Sequence, residues 1–461
     1  MPGSAVSSTL RTARAESPMS WTTVAERLSW IRTGLVVLFL VGIYTNVTPV
    51  IGGIPVPVLL SVVTGLLLLA VHITEIDLKT LALLGLLYLV GLASTIFSPG
   101  VATFLGEKLK SEILLILSSL CGLGFYLELR TWSARSLGGL FAGAVAIILA
   151  GLVLEILGPL KPVSDAFRVR VMPEVFLYTS DARDIALHGS IRPKLFTSEP
   201  SHVAKFLNVV VVAWMLASGK GRSLAFGFLA LFAAALLTRS PTILIGMIAA
   251  QVVVISWTLR KLVARPGLNA SSIAMGFLAV MASALVFFIL AALGAALFST
   301  RMEAVLSGGD ASALVRLLTP VVIASEVLYA HPLFGMGIGG KEPLVPILLQ
   351  AYSEHISTRW LLTQPLEAQL SALSGNFFLH WIYLGILGGV SSAVILFAIV
   401  RQWSRGTMAV GCFVILLILS FAHGDFFAPR YWFDVAMICA VAAVWGAERR
   451  ALSAGGTGAL R

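Results

Sequence analysis

About a dozen apolar runs alternate with short polar gaps along this chain. A helix crosses a bilayer with roughly 20 mainly apolar residues. By that measure the pattern predicts spans near 33–50, 55–73, 78–98, 110–128, 136–160, 203–218, 223–238, 241–258, 270–298, 374–400, 407–422 and 431–447. Residues 1–32 are polar and carry Arg11, Arg14, Arg27 and Arg32. No small-residue cleavage pattern follows the run that opens at Thr33, so it reads as a retained first span behind a cytoplasmic tail. The expected fold is all-α, a polytopic integral membrane protein of about 12 transmembrane helices. It divides into an N-terminal tail (1–32), N-terminal spans (33–160), an extracytoplasmic loop (161–202), central spans (203–298), a large helical extracytoplasmic loop (299–373), C-terminal spans (374–447) and a cytoplasmic tail (448–461).

Charge orients these spans. With the amino terminus in the cytoplasm, the inner loops carry Lys79, then Arg130 and Arg135, then Lys220 and Arg222. Arg260, Lys261 and Arg265 follow, then Arg401 and Arg405, and finally Arg449 and Arg450. Each short inner loop is basic, as the positive-inside rule requires. Lys108 and Lys110, beside Glu107 and Glu112, are the one basic pair left on the outer side. Both termini are therefore expected in the cytoplasm, with Lys220, Lys261 and Arg401 inside and Arg192, Arg316 and Tyr352 outside.

Composition agrees. The chain has 461 residues, of which 58% are hydrophobic and 12% charged, at a mean hydropathy of +0.95. A soluble domain carries about 25% charged residues, so the membrane class follows. The net charge of +10 comes without any basic run interleaved with aromatics, which argues against nucleic acid. Cys121, Cys412 and Cys439 lie in apolar runs without metal-ligand spacing and read as small core residues.

The two long outer segments carry the candidate chemistry. In 192–207, RPKLFTSEPSHVAKFL, Arg192 and Lys194 supply positive charge, Glu199 and His202 are titratable, and Ser201 is placed to cap the following helix. In 236–242, LLTRSPT, Arg239 occupies a short outer turn with Thr238, Ser240 and Thr242 around it. In 308–340 a helix is expected from Ala311 to Tyr329 with Arg316 on its first turns. His331-Pro332 ends it, and Gly335, Gly337, Gly339 and Gly340 permit tight turns and close backbone approach. No βαβ context makes this glycine run a dinucleotide site. From Pro343 to Leu373, near-helical apolar spacing predicts one or two amphipathic helices, lying on the outer membrane face or packed on the bundle. Arg168, Arg170 and Arg183 read as a solvated loop face, and Asp425 with Arg430 as a simple interfacial ion pair.

In their order these segments resemble the family of bacterial O-antigen ligases and O-antigen or exopolysaccharide polymerases. The shared features are the Arg-containing outer turn, the Asp-x-Ser-x-x-x-Arg helix in a large outer loop, the His-Pro-Leu-Phe-Gly-x-Gly ending and the Gly-rich span start SGNFFLHWIYLGILGG at 374–389. The RPKLFTSEPS segment is similar to the polymerase branch, and the resemblance covers roughly residues 190–400. It implies a C-type glycosyltransferase-like fold in the bacterial inner membrane with a periplasmic active face. The implied donor is an undecaprenyl-pyrophosphate-linked glycan, used without metal, cofactor or nucleotide sugar. Arg239 and Arg316 match the family's outer arginines, and a guanidinium suits pyrophosphate because it stays charged and binds oxygens bidentately. Arg192 joins them in the expected pyrophosphate set.

One departure concerns the base. Where family members often carry His-Asn at the start of the span after the large loop, this chain has Gly375-Asn376. His380, five residues beyond Gly375, is expected to face elsewhere as a hydrogen-bonded core histidine. The outer base candidates are Glu199, His202, His331, Glu354, His355, His423 and Asp425, with Glu199 favoured for its nearness to Arg192 and His331 read as a structural cap. The expected function is a glycan polymerase, with membrane lipids, a flippase and a chain-length regulator as implied partners. The rivals are a ligase that attaches glycan to lipid A core and a lipid-glycan flippase or anion transporter. A transporter needs polar groups near mid-span, where the sequence carries little charge apart from Glu155.

Overall fold

The computed structural model describes residues 21–456 apart from 52–53, 56, 173–176, 178–180, 220, 264–269, 298–302, 304–306, 308–313, 340, 355–357, 374, 407 and 423. The chain is helical nearly throughout. In order come α1 (Trp21–Thr45), α2 (Leu59–Val71), α3 (Leu78–Ile96), α4 (Val101–Leu129), α5 (Ala134–Ile156), α6 (Lys161–Val171), α7 (Asp181–His188) and α8 (Pro200–Ser218). Then follow α9 (Gly221–Thr238), α10 (Ile243–Val263), α11 (Ala270–Leu297), α12 (Thr319–Ala330), α13 (Val345–Glu354), α14 (Leu366–Ala372), α15 (Asn376–Trp403), α16 (Ala409–Ser420) and α17 (Pro429–Gly456). A two-residue antiparallel pairing, Val50–Ile51 with Ile54–Pro55, joins α1 to α2.

Among the described residues nine helices are long and apolar enough to cross a membrane, and the expected runs at 33–50, 55–73 and 407–422 form shorter apolar helices. The multi-pass helical reading therefore stands. Their outward faces are apolar: Ile147, Leu89, Val394 and Phe277 are all exposed, as lipid-facing side chains are. Three helices, α4, α8 and α17, are the most buried and form the centre. Small residues let them approach closely, as in membrane bundles generally. A Cβ on Gly122 of α4 would lie 2.9 Å from the Trp432 carbonyl of α17, and one on Gly124 would lie 2.2 Å from the Gly65 carbonyl of α2. Phe39, Phe125, Phe206 and Phe433 stack between α1, α4, α8 and α17, with the Phe39 and Phe125 ring centres 4.2 Å apart. On the expected inner side, Arg32 and His72 both contact the buried Glu128 carboxylate. The Arg130 bond, then that of His72, holds the Glu75 carboxyl below its ordinary value.

Several expectations need correction. Helix α4 begins at Val101, so Lys108 is not an outer-loop charge: it is fully buried inside the helix. Its three acceptors, described below, explain how a cation is tolerated there. Helices α13 and α14, in the expected outer loop, bury Leu348, Tyr352 and Leu370 in the protein core, which favours packing on the bundle over lying on the lipid face. Residue 355 and the start of the expected 311–329 helix lie outside the described residues, and the rest of that helix is a short π segment, Leu314–Leu318, leading into α12.

Helix α15 is broken. Gly385 adopts φ 64°, ψ −165°, a region essentially closed to other residues. The break frees backbone groups that a membrane interior cannot hydrate, and such backbone is tolerated only where protein satisfies it. The turn after α12 does so. Met336 N–H donates to the Ile382 carbonyl at 2.9 Å and Gly337 N–H to the Tyr383 carbonyl at 2.9 Å. In return Ile386 N–H donates to Pro332 at 2.6 Å and Leu387 N–H to Leu333 at 3.1 Å. Gly335, at φ 59°, allows the approach: a Cβ there would lie 2.4 Å from the Ile382 carbonyl.

Two expectations can be measured. Gly385→Ala meets Gly335 N and the Leu333 carbonyl carbon and oxygen at 2.6 Å, so it should cost on the order of 3 kcal/mol. Thermal unfolding of the detergent-purified protein would read it, and a melting point equal to wild type would contradict this account of the break. Tyr352 is fully buried and reports poorly on sidedness, whereas Trp360 is 51% exposed. Trp360→Cys should react with an impermeant thiol reagent in intact cells with a permeabilised outer membrane, and Lys261→Cys only after lysis.

Candidate functional site

The segment 192–202 is held in place by groups from three elements. Glu155, at the end of α5, accepts from the backbone N–H of Lys194 at 3.0 Å and of Leu195 at 2.6 Å. These bonds help fix two consecutive left-handed residues, Leu195 at φ 35° and Phe196 at φ 62°. Ser164 of α6 accepts from Phe196 N–H, and Tyr44 of α1 donates to the Leu195 carbonyl at 2.8 Å. Arg168 of α6 is buried, not solvated: its Nε donates to the Thr197 carbonyl at 2.8 Å and its Nη2 to the Ser198 carbonyl at 3.3 Å. Its Nη1 pairs with Asp165 at 3.0 Å. Partial burial pushes the Asp165 carboxyl up, but Lys161, and then Arg168 and Lys194, outweigh it and hold the group below its ordinary value.

This framework delivers Glu199 and His202 to one spot. Glu199, not Ser201, is the residue ahead of α8, with extended backbone (φ −149°, ψ 155°). Ser201 donates its hydroxyl to Glu199 Oε1 at 2.5 Å in place of capping the helix. His202 Nε2 lies 3.3 Å from the same Oε1, and its Nδ1 lies 2.7 Å from Ser198 Oγ. The pair is partly accessible, at 24% for the Glu199 side chain and 16% for that of His202.

Beneath them a small open pocket lies between α1, α8 and α17, lined by His202, Lys205, Arg430 and Asp434 with Ile43 and Phe433 as apolar walls. Arg430 Nη2 donates to the Ile43 carbonyl at 3.4 Å, and the nearby acids acting on it are Glu199 and Asp434. The expected Asp425–Arg430 pair does not form. Asp425 accepts from Tyr383 at 2.7 Å and pairs with Lys341 at 3.4 Å, because its turn faces the large loop while Arg430 turns inward toward α8.

The remaining expected residues are distributed over other elements. Arg192 Nε is bonded to Asp184 of α7 at 2.8 Å, and Lys194 to Asp181 at 2.8 Å. Arg239 sits in the α9–α10 turn in a left-handed conformation, φ 48°, and Asn208 of α8 ties that turn down by donating to the Thr242 carbonyl. Arg316 lies in the π segment before α12, with its side chain outside the described residues. Gly335 and Gly337 form the turn docked into α15. His331 ends α12, Glu354 is exposed, and His355 and His423 are outside the described residues. His380 bonds Ser392 Oγ at 2.8 Å and lies 3.1 Å from the Gly389 carbonyl. It does not face away from the Gly375-Asn376 position: Asn376 and His380, one helical turn apart, line the same mainly apolar pocket between α15, α16 and α17.

Lys205 and Asp434 were not anticipated, and Arg430 was expected only as the ion-pair partner of Asp425. The signal was present as helical spacing: His202 and Lys205 are three apart on α8, and Arg430 and Asp434 four apart on α17. Among the described residues no group of three or more His, Cys, Asp and Glu side chains is placed to hold a metal ion. No family model, curated protein or solved structure matches this chain.

Arg168 makes a clear prediction. Charge-assisted bonds contribute about 1.5–3 kcal/mol each. Arg168→Ala should therefore lower the thermal midpoint of the purified protein by several degrees and loosen the 192–202 segment to limited proteolysis. Arg170→Ala, at an exposed position two residues on, should change neither.

Proposed function

We propose that this protein is a polysaccharide polymerase of the bacterial inner membrane, with 12 transmembrane helices in a C-type glycosyltransferase-like arrangement and a periplasmic active face. The observation that carries the reading is the Glu199–His202 pair held beside a cavity that contains Lys205 and Arg430. Paired acid–base groups next to fixed cations suit a reaction in which a proton is removed from one substrate and negative charge develops on the other. Glu199 takes the proton from a sugar hydroxyl of a lipid-linked acceptor, with His202 and Ser201 orienting its carboxylate. The acceptor oxygen attacks the anomeric carbon of a glycan on undecaprenyl pyrophosphate. The glycosidic carbon–oxygen bond breaks, its electron pair leaves on the pyrophosphate, and the anomeric centre inverts. Arg239 and Arg316 bind the pyrophosphate, and Arg192 contributes with Asp184 as its fixed partner.

A second reading is supported by one observation. The break in α15 beside buried Lys108 is the kind of interrupted helix on which transporters build their sites. A flippase for the same lipid-linked glycan would use it.

Deletion with analysis of surface and lipid-linked glycans separates these readings. A polymerase mutant caps core with single repeats and lacks long chains. A ligase mutant accumulates long chains on the lipid carrier, and a flippase mutant accumulates single lipid-linked repeats on the cytoplasmic side. Within the polymerase reading, Arg316→Ala and Arg239→Ala should each reduce polymerisation about ten- to hundredfold, from the loss of roughly 1.5–3 kcal/mol. Arg316→Lys should recover only part, since an ammonium lacks the bidentate fork. Wild-type chain lengths from both Ala variants at normal abundance would reject the pyrophosphate assignment.

A further inference from the structure

Helix α4 carries Lys108 and Glu112 one turn apart, 0% and 6% exposed. Lys108 is fully engaged. Its ammonium donates to Ser98 Oγ, to the Pro99 carbonyl at 3.0 Å and to the Met336 carbonyl at 2.8 Å. The last bond latches the glycine turn to α4, on the side opposite its docking into α15.

Glu112 has the reverse character. Neither of its carboxyl oxygens has a hydrogen-bond partner among the described residues. It is wedged between α3 and the glycine turn at a point where only glycine leaves room. A Cβ on Gly91 would lie 2.7 and 2.8 Å from the two Glu112 oxygens and 2.5 Å from Ile338 Cδ1 of the turn. Ser94 and Thr95, one turn further along α3, also carry buried hydroxyls without a partner. An ionised carboxylate is costly in such a place, and intramembrane acids of this kind are functional by default.

We propose that Glu112 is a proton-binding site that controls the Lys108 latch. With the proton bound, the carboxyl is neutral and leaves Lys108 on the Met336 carbonyl. When Glu112 releases the proton to water, its carboxylate draws the ammonium one turn along the helix as counter-ion. The Met336 carbonyl loses its donor and the glycine turn is freed on that side. The other charged or titratable groups on the elements packed here include Tyr88 of α3, which is bonded to Ser119, Tyr383 of α15, which is bonded to Asp425, Glu107 and Lys110 of α4, which pair with each other, and Lys341 and Glu342 after the turn, of which Lys341 is paired with Asp425. Helix α2 carries none, and on α17 Arg430 and Asp434 belong to the other cavity. The site goes beyond the glycan-transfer reading and does not depend on it.

The test compares wild type with Glu112→Gln, which mimics the neutral acid, in the purified full chain. The infrared difference spectrum should contain a carboxylic-acid carbonyl band at neutral pH that disappears as the pH rises. In a background with the three native cysteines replaced, alkylation of Met336→Cys should rise with pH about tenfold per unit beyond the rate in the same protein carrying E112Q, since one proton gates exposure. Ile338→Cys serves as the reporter if Met336→Cys does not accumulate. Absence of an E112Q-sensitive acid band at neutral pH overturns the proton site. Equal pH dependence of alkylation with and without E112Q overturns the latch.

Discussion

The hydrogen-bonding deficit at Gly385 is the constraint on which the placement of the glycine turn and its neighbours depends. A helix interrupted inside an apolar environment exposes carbonyl and amide groups that nothing in the lipid can satisfy. Here the missing partners come from a turn far away in sequence, which both donates to and accepts from the broken segment. The exchange fixes where the glycine turn sits. It thereby fixes the chain that leads into α13, and through Lys341 and Asp425 the turn before α17 as well. Lys108 then completes the arrangement from the other side. A buried cation is normally a liability, but one with three acceptors is a rivet.

The 192–202 segment is built on the same principle with side chains in the backbone's role. Leu195 and Phe196 hold left-handed conformations that oppose their own preferences. Glu155 and Arg168 receive and supply the hydrogen bonds that make those conformations tolerable. The result is a rigid lead into α8, so that Glu199 and His202 meet at a defined distance and not by chance encounter of loop side chains. Rigidity of this sort suits the proposed transfer between two lipid-borne substrates.

The spans were legible because apolar length is a local property: each run is read from its own residues. The same locality explains the errors. Lys108 looked like a loop charge because its acceptors, Ser98, Pro99 and Met336, cannot be seen in a window around it. Arg168 looked solvated because the carbonyls it binds lie some thirty positions on. Asp425 and Arg430 looked like a pair because they are neighbours in sequence, yet the turn between them sends one to the large loop and the other to α8. The closeness of Glu199 and His202 was legible, since residues three apart at a helix start share a face. The cavity beneath them was not, since it exists only where α8 meets α17.

The docked glycine turn also bears on how the protein is made. Translation runs from the amino terminus, so residues 332–337 leave the ribosome well before the segment 382–387 that they complete. When α15 first enters the membrane its break has no partner, and the chain must hold an unfinished helix until the earlier turn folds back onto it. Assembly of this protein is therefore not a simple succession of inserted hairpins. It requires a closing step between the segments 332–337 and 382–387 before the backbone groups at the break are paired.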